Sequence, residues 1–244
     1  MNLPLPTSNA KITLNIASVR SQIDDIDREL AELIARRCAL SANIAAAKHA
    51  AGDAAFGWRP AREVDIMRSV MREQPDLNSE LASSVWRALI SANLTAQGDF
   101  QLIAIKEVVA DAIAAFSVGT TPQIVANPID VLKALMQNDH AIAVLPWPTA
   151  NHWWIDMMEP QFASLYVCAA SPIAGDDPNV MLIAARSPEA AGDDISLIAG
   201  PIGAVEGGII AQSDGLALIA CGEFIEPDTA LPAGCRLIGC FALA

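Results

Sequence analysis

The sequence predicts two parts: an all-helical domain over residues 14–98 that intertwines with a second copy, and a small α/β domain over 99–244. A flexible lead-in at 1–13 precedes them. Three observations carry this. Residues 14–51 contain neither Gly nor Pro, and their apolar side chains recur at helical spacing. Near Gly98 the texture changes, since most Arg residues lie before it and basic residues almost vanish after it. Beyond that point short Val, Ile, Leu and Ala runs alternate with Pro and Gly, the pattern of short strands and helices.

The first stretch carries Ile23, Ile26, Leu30, Leu33, Ile34, Leu40 and Ile44 as an apolar stripe. Asp24, Asp25 and Asp27 lie towards its start and Arg36, Arg37 and Lys48 towards its end, an order that suits the helix dipole. Such a helix is about 55 Å long, too long for a hundred-residue domain to cover by folding back on itself. It therefore needs a partner helix from another chain. Residues 52–57 break the pattern, and Trp58-Arg59-Pro60 opens a second helix near 61–73, proline being acceptable in a first turn. After Gln74-Pro75-Asp76 a third helix spans 79–97, with Leu81, Val85, Trp86, Leu89, Ile90 and Leu94 as its apolar face.

In the second part, strands are expected at 101–105, 123–126, 141–145, 165–169, 180–184, 196–199, 216–221 and 235–241. Helices are expected at 108–116 and 129–137, the latter with Asn127 as N-cap. The Gly-rich segment 200–208 lacks the Gly-Lys-Ser/Thr ending of a phosphate loop and reads as a turn. His152, between Asn151 and Trp153-Trp154, reads as part of a surface loop with aromatic anchors.

A formal charge of −13 argues against nucleic acid or an anionic membrane surface as partner. Although 53% of residues are hydrophobic, much of that is Ala, and no uninterrupted apolar run reaches the ~18–20 residues of a membrane span. The N-terminus lacks a basic start followed by an apolar core, so no secretory signal is read there. Five Cys without CxxC spacing or a neighbouring His pair point to reduced thiols in the cytoplasm. No metal or cofactor is expected.

In so acidic a chain, an anionic ligand needs a local basic pocket. Eleven residues at 100° each bring Arg37 and Lys48 within about 20° of one another on one helix face. By the same arithmetic Arg20 falls some 100° away from Arg37, so in a dimer it is placed to serve the other protomer. On the third helix Asn93 and Gln97 are one turn apart. Guanidinium, ammonium and amide groups packed together in this way would hold a small dianion.

The order Arg20, Arg37, Lys48, the RPARE segment at 59–63 and the ending ALISANLTAQ resembles the helical chorismate mutase family over about residues 16–97. The resemblance implies that Arg20 is lent by the second protomer and that Arg37 grips a substrate carboxylate. It places Lys48 and Gln97 on either side of the substrate's ether oxygen. Glu63 falls where family members meet the substrate hydroxyl, and Asn93 takes a place often held by serine. Ile66 and Met67 stand where some members have arginine and glutamate, which leaves Arg59 or Arg62 to supply the missing charge. The implied reaction is chorismate to prephenate, in phenylalanine and tyrosine biosynthesis.

Fragments of the second part, at 114–148, 179–188 and 191–198, resemble prephenate dehydratase, so a reduced lobe of that fold is expected there. The dehydratase motifs themselves are replaced by Leu145-Pro146-Trp147-Pro148-Thr149 and Asn179-Val180-Met181. The leading expectation is a chorismate mutase whose appended domain stabilises the dimer or senses an aromatic amino acid as effector. The alternatives are a bifunctional mutase/dehydratase and a catalytically silent regulatory protein of the same pathway.

Overall fold

The computed structural model describes residues 15–51, 57–97, 100–116, 121–149, 151–174 and 177–244. The lead-in at 1–13 and the side chains at 48, 49 and 97 lie outside the described set. Three helices come first: α1 (Ile16–Ala50), α2 (Pro60–Glu73) and α3 (Ser79–Gln97). Their bounds follow the local signals. Pro60 sits in the first turn of α2, and the Asn78 side chain accepts from the Leu81 N–H at 2.9 Å to cap α3.

The second part alternates β1 (Gln101–Ile105), α4 (Val109–Phe116), β2 (Gln123–Val125), α5 (Pro128–Leu135) and β3 (Ala141–Pro146). A short α6 (Trp153–Asp156) leads to β4 (Tyr166–Ser171), β5 (Val180–Ala184), β6 (Asp194–Pro201), β7 (Gly208–Ser213), β8 (Leu216–Cys221) and β9 (Arg236–Ala242). Asn127 caps α5 as expected, its side chain accepting from the Asp130 N–H.

Among the described residues the nine strands form one sheet in the order β2-β1-β3-β5-β4-β9-β6-β8-β7. The β2-β1-β3 end is parallel, whereas β9-β6-β8-β7 is an antiparallel array. Between them lie β5, antiparallel to β3, and β4, antiparallel to β5, and Val167 of β4 pairs in parallel with Gly239 of β9. Only glycine fits that seam, since at φ +152° a Cβ on Gly239 would lie 2.1 Å from the Val167 carbonyl oxygen.

Two elements differ from the sequence expectation. The segment expected as a loop around His152 contains α6, whose Trp153 and Trp154 are buried and whose Trp153 indole donates to the Pro146 carbonyl at 2.8 Å. Strand β7 follows directly on the Gly-rich turn. It is an edge strand with Ile209 exposed, so it lacks the in–out alternation that announces a strand.

The change of texture at Gly98 is not a break in packing. Helix α2 lies on β4 and β9, with Val64 clustered against Ile173 and Ala242. Arg68 of α2 donates to the carbonyls of Ala191 (2.6 Å), Gly192 (2.5 Å) and Leu243 (2.7 Å). Helix α3 packs on α4, where Arg87 donates to the Ala115 carbonyl at 3.0 Å and Ser91 to that of Phe116. These bonds satisfy carbonyls that the end of α4 cannot satisfy itself. Helix α1 packs on α3, yet Ile16, Ile23, Ile26, Leu30, Leu33, Leu40 and Ile44 remain exposed. No helix of the described residues is long and apolar enough to cross a membrane.

Candidate active site

A cavity of about 220 Å³ opens where the three helices converge. Helix α1 contributes Arg37, Ser41 and Ile44, which periodicity puts on one face because they stand four and seven residues apart. From α2 and the residues leading into it come Gly57, Trp58, Arg59, Arg62, Glu63 and Ile66, and α3 adds Ile90, Asn93 and Leu94. Three guanidinium groups and one amide therefore surround a partly apolar space.

The six residues singled out in the sequence separate into three groups. Arg37, Glu63 and Asn93 are brought together on the cavity wall. Arg37 is half-buried and held by a 3.3 Å bond from its Nη1 to the Leu89 carbonyl of α3. Lys48 lies in the last turn of α1 and Gln97 is the last residue of α3; both side chains lie outside the described set. Arg20 is exposed on α1 and does not line the cavity of its own chain.

Glu63 is 7% exposed, although Arg62 before it is exposed. Burial pushes its carboxyl up from 4.5 to about 7, against the opposing pull of the Arg87 guanidinium and a hydrogen bond with Trp58. Arg87, also buried, has its own pKa lowered by desolvation, with Glu63 acting against that. Sequence reasoning missed Arg87 and Trp58 as neighbours of the site. Arg87 looks like an ordinary helix charge until its partner on α2 is known, and only Pro60 two residues on hinted that Trp58 sits at a fixed turn.

Met67 and Ile66, where some chorismate mutases have charged residues, take different environments. Met67 is 1% exposed, on the side of α2 that buries Pro60, Glu63 and Val64. Ile66 lines the cavity and brings it no charge. Among the described residues no three His, Cys, Asp or Glu side chains are grouped so as to hold a metal ion. Cys168 and Cys240 are buried thiols whose pKa values desolvation raises to about 12, which makes them poor nucleophiles.

Residues 19–98 match the family model described as chorismate mutase type II. That family consists of isomerases, so the helical third of the chain carries an isomerase domain of this type. No curated protein and no solved structure matches the chain.

Proposed function

We propose that the chain converts chorismate to prephenate as a homodimer in which Arg20 of each protomer reaches the site of the other. The observation that carries this reading is the cluster of Arg37, Arg59, Arg62 and Asn93 around one cavity, inside the segment that matches the mutase family. The reaction breaks an ether C–O bond and forms a C–C bond within one molecule. The protein's task is to hold a flexible dianion compact while negative charge grows on the ether oxygen.

Arginines suit the first requirement because a guanidinium grips a carboxylate through two parallel N–H bonds. Lys48 and Gln97 suit the second. Donors oriented before reaction bind the transition state more strongly than the ground state, and losing one costs about 3–4 kcal/mol. Glu63, its pKa raised to about 7 by burial, is mostly protonated below pH 7 and in that form donates a hydrogen bond to the substrate hydroxyl.

The exposed stripe on α1 supports the dimer. Each half-exposed Leu or Ile on its stripe is worth about 1 kcal/mol on burial, and an uncovered stripe along a 35-residue helix is the mark of a helix that pairs. A second copy is the occupant whose Arg20 the site requires.

Dehydratase chemistry is not part of this proposal. At the corresponding positions stand Leu145-Pro146-Trp147-Pro148-Thr149 and Asn179-Val180-Met181, and the Asn179 side-chain amide donates to Asp111 at 2.8 Å. Prephenate formation from chorismate by the purified protein tests the reading. We expect turnover, and a loss of a hundredfold or more in kcat/KM for Arg37→Ala. No turnover by the unmutated protein overturns it in favour of a silent binding protein.

A further inference from the structure

We propose that the α/β part is a working component of the mutase site: Arg59 contacts a substrate carboxylate, and Glu189 and Arg186 are the positioning residues that hold it there. This inference rests on the mutase reading and adds to it a role for the second part of the chain.

On α2 the cavity is lined by Arg62, Glu63 and Ile66, and Ile66 brings no charge at the position where the resemblance implies a cation. Arg59, at the N-cap position of α2, lines the same cavity and is tied down from a distance. Glu189 Oε2 accepts from Arg59 Nε at 3.3 Å and from Arg59 Nη2 at 3.2 Å. The other oxygen of Glu189 accepts from Arg186 Nη2 at 2.7 Å, and Arg186 Nη1 donates to the Trp58 carbonyl. Thus one short segment just beyond β5 fixes two consecutive residues of the cavity wall, and Trp58 in turn hydrogen-bonds with Glu63.

The geometry suits a substrate contact. A guanidinium offers five N–H groups, and bonding to Glu189 through Nε and Nη2 leaves the outer Nη1/Nη2 edge for a second carboxylate. Arg186 balances the charge of Glu189, so Arg59 keeps a net positive field towards the cavity. An arginine already held in place loses less rotamer freedom when substrate arrives. Arg59 and Glu189 have side chains 55% and 35% exposed, and an ion pair so open to solvent contributes little to stability. Its removal is therefore read in binding rather than in folding.

The test uses the full chain with Arg59→Ala, Glu189→Ala and the double variant, together with Arg186→Ala and Arg186→Lys. KM and kcat for chorismate are measured beside the Kd of prephenate by calorimetry and the melting midpoint. Arg59→Ala should raise KM and the prephenate Kd about tenfold or more, with melting nearly unchanged. Glu189→Ala should raise both less, and should add nothing when Arg59 is already Ala, because it acts through that residue. Arg186→Ala should lower kcat/KM, with partial rescue in Arg186→Lys. Unchanged KM and Kd in Glu189→Ala, or effects of the two alanine changes that simply add, overturn the inference. If the unmutated protein binds prephenate without forming it, the mutase reading fails while the Kd series still decides whether Arg59 is a carboxylate contact held by Glu189.

Discussion

Helices α1 and α2 wall the same cavity but are covered in opposite ways. The inner face of α2 lies on β4 and β9 of its own chain, and Met67 there is 1% exposed. The stripe on α1 meets nothing comparable along its first half: Ile26 is 56% and Leu33 59% exposed. The difference separates two kinds of support for one site. The α2 wall is braced by the second part of the same chain, and the α1 wall is left open, which the proposed dimer would close.

The sharpest way to break this contrast is subunit mixing. If the α1 wall is completed in trans, Arg20→Ala and Arg37→Ala should each lose a hundredfold or more in kcat/KM. When the two inactive variants are mixed and re-associated, half of the dimers are hybrids, and each hybrid has one site with both native arginines. Recovery of about a quarter of the unmutated activity is expected from that symmetry. Prephenate formation after mixing measures it, and activity that stays at the level of the separate variants shows that Arg20 does not cross between protomers.

The complementary change tests the α2 wall. Met67→Ala removes a fully buried side chain from the face that meets the sheet and should cost about 3 kcal/mol of stability. Urea unfolding reads this as a lower midpoint with an unchanged slope. A cost under 1 kcal/mol would mean that the helix–sheet contact is loose, and that the second part of the chain braces the site only weakly.

The same contrast explains what could be read from sequence. The three helices and most of the strands were legible because their signals are local: the run without Gly or Pro, Pro60 at a helix start, Asn127 as a cap. The open stripe on α1 was legible too, since length alone shows that one small domain cannot cover it. Arg37, Glu63 and Asn93 could be placed on one cavity because their order and spacing match a known pattern. The environment of Met67 could not, because nothing near it in sequence states that a sheet built by residues a hundred positions later will cover it. Arg87, Arg186 and Glu189 were hidden for the same reason, the groups they meet at the site, Glu63, Trp58 and Arg59, being distant in the chain. Strand β7 was hidden because an edge strand exposes residues that a buried strand alternates.

The smallest expected effect concerns the acid on which the two walls converge. Glu63 is raised from 4.5 to about 7, with Arg87 facing it from α3, Trp58 beside it, and Arg37, Arg59 and Arg62 around the same cavity. A carboxyl whose folded pKa is raised is stabilised as the neutral acid. Between pH 4.5 and 7 the folded state then holds more protons than the unfolded state, so stability falls as pH rises through that window. The difference between pH 5 and pH 8 should be about 2 kcal/mol, and Glu63→Gln should remove it, leaving only the contributions of other groups. Thermal melts of both proteins at the two pH values measure this, and an equal pH dependence in both would show that Glu63 ionises at its ordinary pKa. In turnover the same ionisation adds a negative charge to a cavity that must accept a dianion. KM for chorismate should accordingly rise above pH 7 in the unmutated protein and stay flat in Glu63→Gln, which ties the burial of one side chain on the braced wall to the charge the substrate meets.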